Sequence, residues 1–416
     1  MESTNQRANP TYATYRRAFE GRRLPLAFCD LDLFDRNAAA LVERADGKPI
    51  RVASKSVRVQ ALLERTLAMD GFEGLLCYSA LEAAHLAERG FRDLVVAYPT
   101  VDPHDIAAVC GALAGTDPNG TDPNGTGSDA GAVITLMVDA PEQVDRLEAL
   151  AAAHGIVLPL CLDLDVSSSF PGLHFGVRRS PLRHADGALA LARHIAGQDH
   201  LELRGLMGYE AQIAGIPDAA PGKALNPVIR WLKGRSMPEV VRRRCAAVDH
   251  LRAEGFELDF VNGGGTGSLE ATAADPSVTE LTAGSGLYSP GLFDGFRDFQ
   301  HAPAAGFALP VTRRPAPGLV TCHGGGYVAS GEPGWDKVPS PYLPSGSKLL
   351  PHEAAGEVQT PIQLPAGVDL DLGDPVLFRH AKAGELCEHF PSLLLVSGGE
   401  VVDEVSTYRG EGWCFL

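Results

Sequence analysis

The sequence predicts an α/β protein, a (β/α)8-type barrel followed by a small C-terminal β domain. Three observations predict it. From about residue 24 to 285, short apolar runs alternate with amphipathic stretches, the pattern of repeated βα units. The apolar runs are near-continuous, as in parallel strands buried on both faces. After about residue 300 the helical pattern disappears, Pro and Gly rise, and short β-like runs take over.

The strand candidates run in order: 26–32 (LAFCDLD), 50–54, 74–79, 93–98, 132–139, 158–165, 201–209, 257–264 and 279–285. Between them lie helix-like segments such as RNAAALVERA, SVRVQALLERTLAM, ALEAAHLAERG, PEQVDRLEALAAAHG and MPEVVRRRCAAVDHLRAEG. About eight such units favour closure into a barrel over an open sheet. Two segments break the rhythm. GTDPNGTDPNGTGSDAG (115–131) repeats a turn-forming unit without apolar periodicity and reads as an exposed, flexible insertion. The stretch 215–236 follows a strand end and reads as a loop over a site. The expected organisation is an N-terminal extension (1–23), a barrel (24–305) and a β domain (306–416), with β-like runs such as DPVLFRH, PSLLLVSGG and VVDEVSTY in the last.

With 416 residues the chain exceeds the size at which one core keeps growing, which also argues for two domains. A formal net charge of −16 disfavours nucleic acid, whose binders need a basic face. The consecutive Arg242, Arg243 and Arg244 read as a solvated helix face. Eight cysteines are scattered without CxxC pairs, several inside apolar runs, as expected of small buried hydrophobes in a reducing compartment. The N-terminus lacks a signal-peptide core and no run is long enough for a bilayer, so a soluble, cytoplasmic protein is expected.

Lys55 is the first chemical candidate. It closes an apolar run in IRVASKSVRVQALL, where strand turns to helix and where barrels place reacting groups. A partly desolvated lysine can form a Schiff base with a carbonyl cofactor, although on position alone a polar strand cap is the better explanation. Two glycine segments change the balance. NGGGTGS (262–268) and AGSGLYSPG (283–291) each follow a strand and offer free backbone N–H groups, a design that cradles phosphate. Neither has the order of a dinucleotide fingerprint, and no GxxxxGK[ST] is present.

The run CDLDLFDRNAAALVERADGKPIRVASKSVR resembles the opening of the pyridoxal-phosphate (PLP)-dependent alanine racemase-like superfamily. More narrowly it is similar to the D-threonine aldolase and D-serine dehydratase branch. NGGGTGS, ELTAGSGLY, HAKAGELCEHF and STYRGEGW resemble the branch's later motifs in order, so the likeness spans nearly the whole chain. The resemblance implies that Lys55 carries the cofactor as a Schiff base. It implies that Gly264, Gly265, Thr266 and Gly267 grip the phosphate, helped by Gly284 and Ser285. Tyr209 would touch the cofactor ring or substrate, with core packing as the alternative. Arg178 and Arg179 would clamp a carboxylate or contact the cofactor oxygen.

Members of the branch hold a divalent cation beside PLP through a His-x-Cys or His-x-Asp pair on the β domain. In the corresponding stretch, 380–389, neither pair is present; Glu385-x-Cys387 has the spacing, and His380 and His389 lie close by. Those four residues are the candidate ligands for zinc or manganese. A polar loop with one buried thiol is the alternative. The implied activity is a lyase on β-hydroxy D-amino acids, by retro-aldol cleavage or by dehydration, in a homodimer. Racemisation is the other reading; the resemblance implies a second base from the partner's β domain, for which Tyr327, Tyr342 and Tyr408 are the candidates.

Overall fold

The computed structural model describes residues 9–114 and 131–415. The predicted insertion lies, except for its last residue, outside the described residues. The strands are β1 (Leu26–Asp30), β2 (Ile50–Ala53), β3 (Phe72–Cys77), β4 (Asp93–Val96), β5 (Val133–Val138), β6 (Leu158–Asp163), β7 (Ser168–Phe170) and β8 (Leu173–Phe175). They continue with β9 (Leu201–Met207), β10 (Phe260–Gly263), β11 (Glu280–Ala283), β12 (Ala305–Ala316), β13 (Leu319–His323), β14 (Ser340–Leu343), β15 (Lys348–Leu349), β16 (Gln359–Gln363), β17 (Pro375–Arg379), β18 (Ser392–Ser397) and β19 (Glu400–Ser406).

Strands β2, β3, β4, β5, β6, β9, β10 and β11 close into one barrel, and all eight pairings are parallel. The near-continuous apolar runs explain the closure: side chains of β5, β6, β10 and β11 are buried on both faces, against the outer helices and the barrel interior. The interior is not purely apolar. Arg51 donates to Glu280 through Nε and Nη2 at 2.7 and 2.8 Å, and Asn262 Nδ2 donates to the same carboxylate. Each buried charge therefore has its partner, as burial requires.

The predicted first barrel strand belongs elsewhere. β1 pairs antiparallel with β12 and parallel with β18, inside the nine-stranded sheet of the β domain. The sequence cannot distinguish the two placements, because a buried strand reads apolar in either sheet. The described chain thus starts in the β domain, builds the barrel and returns at β12, which begins at Ala305. The N-terminal helix Tyr12–Ala18 packs on this sheet, with Tyr15 and Phe19 against Phe28. Tyr15 Oη donates to Asp30, and Asp30 also caps the helix Leu31–Arg44 by accepting from Leu33 N at 3.1 Å. From that helix Asn37 bonds the carbonyls of Leu287 and Ala302 and accepts from Ala302 N, pinning helix, barrel end and domain crossing together.

Three helical features depart from the expected pattern. Pro103–Ala114 and Ala185–Ala196 are helices that the segments above omit. The expected loop 215–236 is irregular only to Leu225, since a helix runs from Asn226 to Ala253, with Pro227 in its first turn and Pro238 inside. Proline is tolerated at the first turn, where the missing N–H has no intrahelical partner. Arg244 on this helix is not solvated: it is fully buried and paired with Glu210 and Asp275. Six of the eight cysteines are buried, and among the described residues none forms a disulfide. Among the described residues no helix is long and apolar enough to cross a membrane.

Candidate active site

A cavity of about 570 Å³ opens at the C-terminal ends of the barrel strands. Lys55 enters it from the turn Ser54–Ser56 that follows β2. Its Nζ donates to Tyr98 Oη at 2.8 Å, across from the end of β4. Two neighbours hold the turn. Arg58 donates from Nε to the Lys55 carbonyl at 2.9 Å and forms an ion pair with Glu388 of the β domain. Arg58 has φ +53, a left-handed conformation costly for a side-chain-bearing residue and held here by those contacts. Gly384, with φ +85, packs so closely that a Cβ would collide with the Lys55 carbonyl oxygen.

The two glycine segments meet beside the Lys55 turn, since β11 pairs with β2. Gly264, Gly265, Thr266, Gly284 and Ser285 all line the cavity. A Cβ on Gly265 would lie 2.8 Å from the Ala214 side chain, and one on Gly284 would lie 2.7 Å from the Ala53 carbonyl oxygen. The main chain itself therefore forms this wall. Thr266 Oγ1 accepts from Gly286 N at 3.0 Å, and the Ser285 and Ser56 hydroxyls are 2.9 Å apart, so the turns after β10, β11 and β2 are joined. Gly267 does not line the cavity: it allows the loop to pack on the Ala214 carbonyl and Phe296.

Behind this wall sits the ion network missed in the sequence. Arg244 donates to Glu210 at 2.7 Å, to Asp275 at 2.5 Å and to the Gly208 carbonyl at 2.7 Å. Glu210 also accepts from Ser268 Oγ at 2.7 Å and Thr272 Oγ1 at 2.5 Å. It ties the end of β9 to the loop after β10. Adjacent in chain, Tyr209 lines the cavity, with its hydroxyl pushed up to about 12 by burial and then by the charge of Glu210.

Of the two arginines, only Arg179 borders the cavity; Arg178 faces a more open groove of about 670 Å³ formed by residues 165–183. Asp163, at the end of β6, also lines the cavity and was not singled out in the sequence. Burial, then the nearby Asp139, raises its carboxyl to about 7, against the pull of Arg179. An acidic residue ending an apolar strand was the available signal. Tyr98, in the run after β4, carried the same strand-end signal.

The four candidate metal ligands do not assemble. Cys387 is buried, its Sγ 3.3 Å from the Val57 carbonyl oxygen, and burial pushes the thiol up to about 12, away from the thiolate a metal needs. His380 is enclosed edge-on to Tyr288 and is absent from the cavity wall, while His389 stacks on Tyr327 at 4.5 Å. Glu385 alone faces the cavity, accepting from Ser330 N at 3.1 Å. Among the described residues no group of three His, Cys, Asp or Glu side chains is placed to hold a metal. The ligand set expected from spacing is thereby corrected: four residues in one 3-10 turn and its flanks point to different sides.

No family model matches the chain. It is 27% identical over 267 residues to the 3-hydroxy-D-aspartate aldolase of Paracoccus denitrificans, covering 63% of this chain and 59% of that protein. It is 26% identical over 309 residues to a D-threonine aldolase of Arthrobacter sp, covering 72% and 71%. The chain thus spans less than two thirds of the first relative's length. Among solved structures, the D-threonine aldolase from Filomicrobium marinum superposes with a TM-score of 0.75 at 19% identity, over 93% of this chain and 95% of that one. The D-threo-3-hydroxyaspartate dehydratase from Delftia sp. HT23 gives 0.70 at 18%, over 93% and 98%. An alanine racemase-like protein from Idiomarina loihiensis gives 0.67 at 14%, over 96% and 99%.

The chain has the alanine racemase-like fold. Both parts of the expected architecture are borne out, the closed parallel barrel and the β-rich C-terminal sheet. So is the narrower resemblance, since the curated relatives lie on the D-threonine aldolase-like branch. In this alanine racemase-like chain the residues present fit the cofactor that the fold family implies. PLP needs an amine for its carbonyl, and Lys55 stands in the cavity. Its phosphate suits a main-chain cradle, and the glycine turns at 264–266 and 284–285 bring main chain to the same cavity.

Proposed function

We propose that this chain is a PLP-dependent lyase acting on 3-hydroxy D-amino acids. Retro-aldol cleavage to glycine and an aldehyde is placed first, and dehydration to a 2-oxo acid and ammonia second. The observation that carries it is the meeting of Lys55 with both glycine turns in one cavity. The substrate class comes from the relatives, which are named as aldolases and a dehydratase of such amino acids. A cytoplasmic homodimer belongs to the same reading.

The bound cofactor would supply an electron sink for the substrate's Cα. Lys55 would hold it covalently, and Tyr98 orients the Lys55 amine through their 2.8 Å hydrogen bond. Gly264, Gly265, Thr266, Gly284 and Ser285 would receive the phosphate, and Tyr209 would bound the ring. Arg179, exposed at the join of cavity and groove, suits a substrate carboxylate. Asp163, raised to about 7, can hold or release a proton near neutral pH beside the reacting centre. The racemase reading has less support, because the curated relatives are named as aldolases. Tyr408 is buried and donates to Glu82 at 3.0 Å.

The test is a panel of D- and L-3-hydroxy amino acids assayed for aldehyde and for 2-oxo acid. Product from the D isomers is expected. Racemisation of D- or L-alanine without either product would overturn the reading.

A further inference from the structure

The wall of the cavity contributed by the β domain is the loop after β17, together with Ser330. Three side chains of this wall matter: Ser330, Lys382 and Glu385 line the cavity beside Lys55. Lys382 is half-buried, and its Nζ donates to the Ser330 carbonyl at 2.7 Å. Ser330 N in turn donates to both oxygens of Glu385, at 3.1 and 3.2 Å. The loop is pressed on the cofactor turn, since Gly384 rests on the Lys55 carbonyl. An ammonium thus stands at a defined place over the cavity, held by the Ser330 carbonyl, while Glu385 holds Ser330 through its N–H, with donors to spare.

A lysine amine carries three N–H donors, and one is used. Among the described residues no group of three His, Cys, Asp or Glu side chains is placed to hold a metal beside it. We propose that the Lys382 ammonium binds the 3-hydroxyl oxygen of the substrate, filling from this chain's own side chains the cationic place that a divalent metal would otherwise take. The proposal rests on the lyase reading above. A preorganised cation aimed at an oxygen where negative charge develops is worth most in a site closed to water. It contributes without ligand geometry or metal supply. Lys382 is then a catalytic residue that touches substrate, while Ser330 and Glu385 position it.

The experiment uses the purified holoenzyme. Metal analysis is expected to find far less than one zinc or manganese per chain, with cleavage of D-threonine unchanged after chelation. One tightly held metal per chain, with activity lost on its removal and regained on its return, would overturn the proposal. The second readout is binding, followed by the change in cofactor absorbance on titration with D-threonine and with D-2-aminobutyrate, which lacks only the hydroxyl. Lys382→Met should reduce the preference for the hydroxylated ligand by about tenfold to a hundredfold, the worth of a charged hydrogen bond. Lys382→Arg should restore part of it. An unchanged preference in Lys382→Met overturns the assignment whatever the turnover. Absence of aldehyde and 2-oxo acid from every 3-hydroxy amino acid overturns the lyase reading alone, because the binding preference is read without turnover. If Lys382→Met does not fold, the same comparison is made with Lys382→Gln.

Discussion

The backbone of Gly384, in the β domain, lies on the carbonyl of Lys55, in the barrel, with no room for a methyl group between them. Arg58 doubles this contact by bonding the same carbonyl and pairing with Glu388. The lysine's place is therefore set by both domains, although barrel strand β2 alone delivers it.

Gly384→Ala is expected to force the loop away from Lys55. The residue sits at φ +85, so the added Cβ meets both backbone strain and collision. A loss of about 1–3 kcal/mol in stability is expected, with weaker cofactor retention on dialysis. Unaltered retention and stability would show that the loop can move without cost.

Lys55→Ala is expected to abolish the yellow absorbance of the purified protein. In the wild type, borohydride should bleach it and leave the added mass on the peptide containing Lys55. A reducible band surviving in the variant would mean that another lysine carries the cofactor.

Arg244→Met leaves the carboxylates of Glu210 and Asp275 buried without their cation. Removing one partner of a buried ion network typically costs about 3–5 kcal/mol. Urea unfolding should show a loss of that order, and the cavity wall at 264–268 should loosen with it. A loss under about 1 kcal/mol would show that the network is not uniquely required.

Asp163 gives a pH dependence with a definite sign. Its folded carboxyl titrates near 7 against an ordinary value of 3.8, so between these the folded protein holds a proton that the unfolded chain has released. That stabilises the fold at low pH; the contribution fades as pH rises from about 4 and is gone above about 7. Its size is at most about 4 kcal/mol. Asp163→Asn should therefore match or exceed wild-type stability at pH 8 and lose that advantage at pH 5. Equal pH dependence in both proteins would refute the raised value.

Much of the site was legible before folding was considered. Lys55, Gly264, Gly265, Thr266, Gly284, Ser285, Tyr209 and Arg179 all reach one cavity; all but Arg179, which follows the β7–β8 hairpin, end or follow a barrel strand on the same face. Strand-end position is a local property, and local patterns carry it. Gly267 and Arg178 share the motifs but not the cavity, since neighbouring residues on a turn point to different sides. Asp163 and Tyr98 carried the same strand-end signal but no distinguishing motif.

The sequence by itself determined the barrel, the β domain and the lysine, because strand burial, helix periodicity and turn glycines are written within a few residues of one another. Only the tertiary structure decided where β1 pairs, that Arg244 is buried, and that His380, Glu385, Cys387 and His389 face apart. An apolar strand suits either sheet, an arginine suits water or a buried carboxylate pair, and ligand spacing says nothing of direction. Those choices depend on contacts between residues distant along the chain, as between Lys55 and the loop at Gly384 and Lys382.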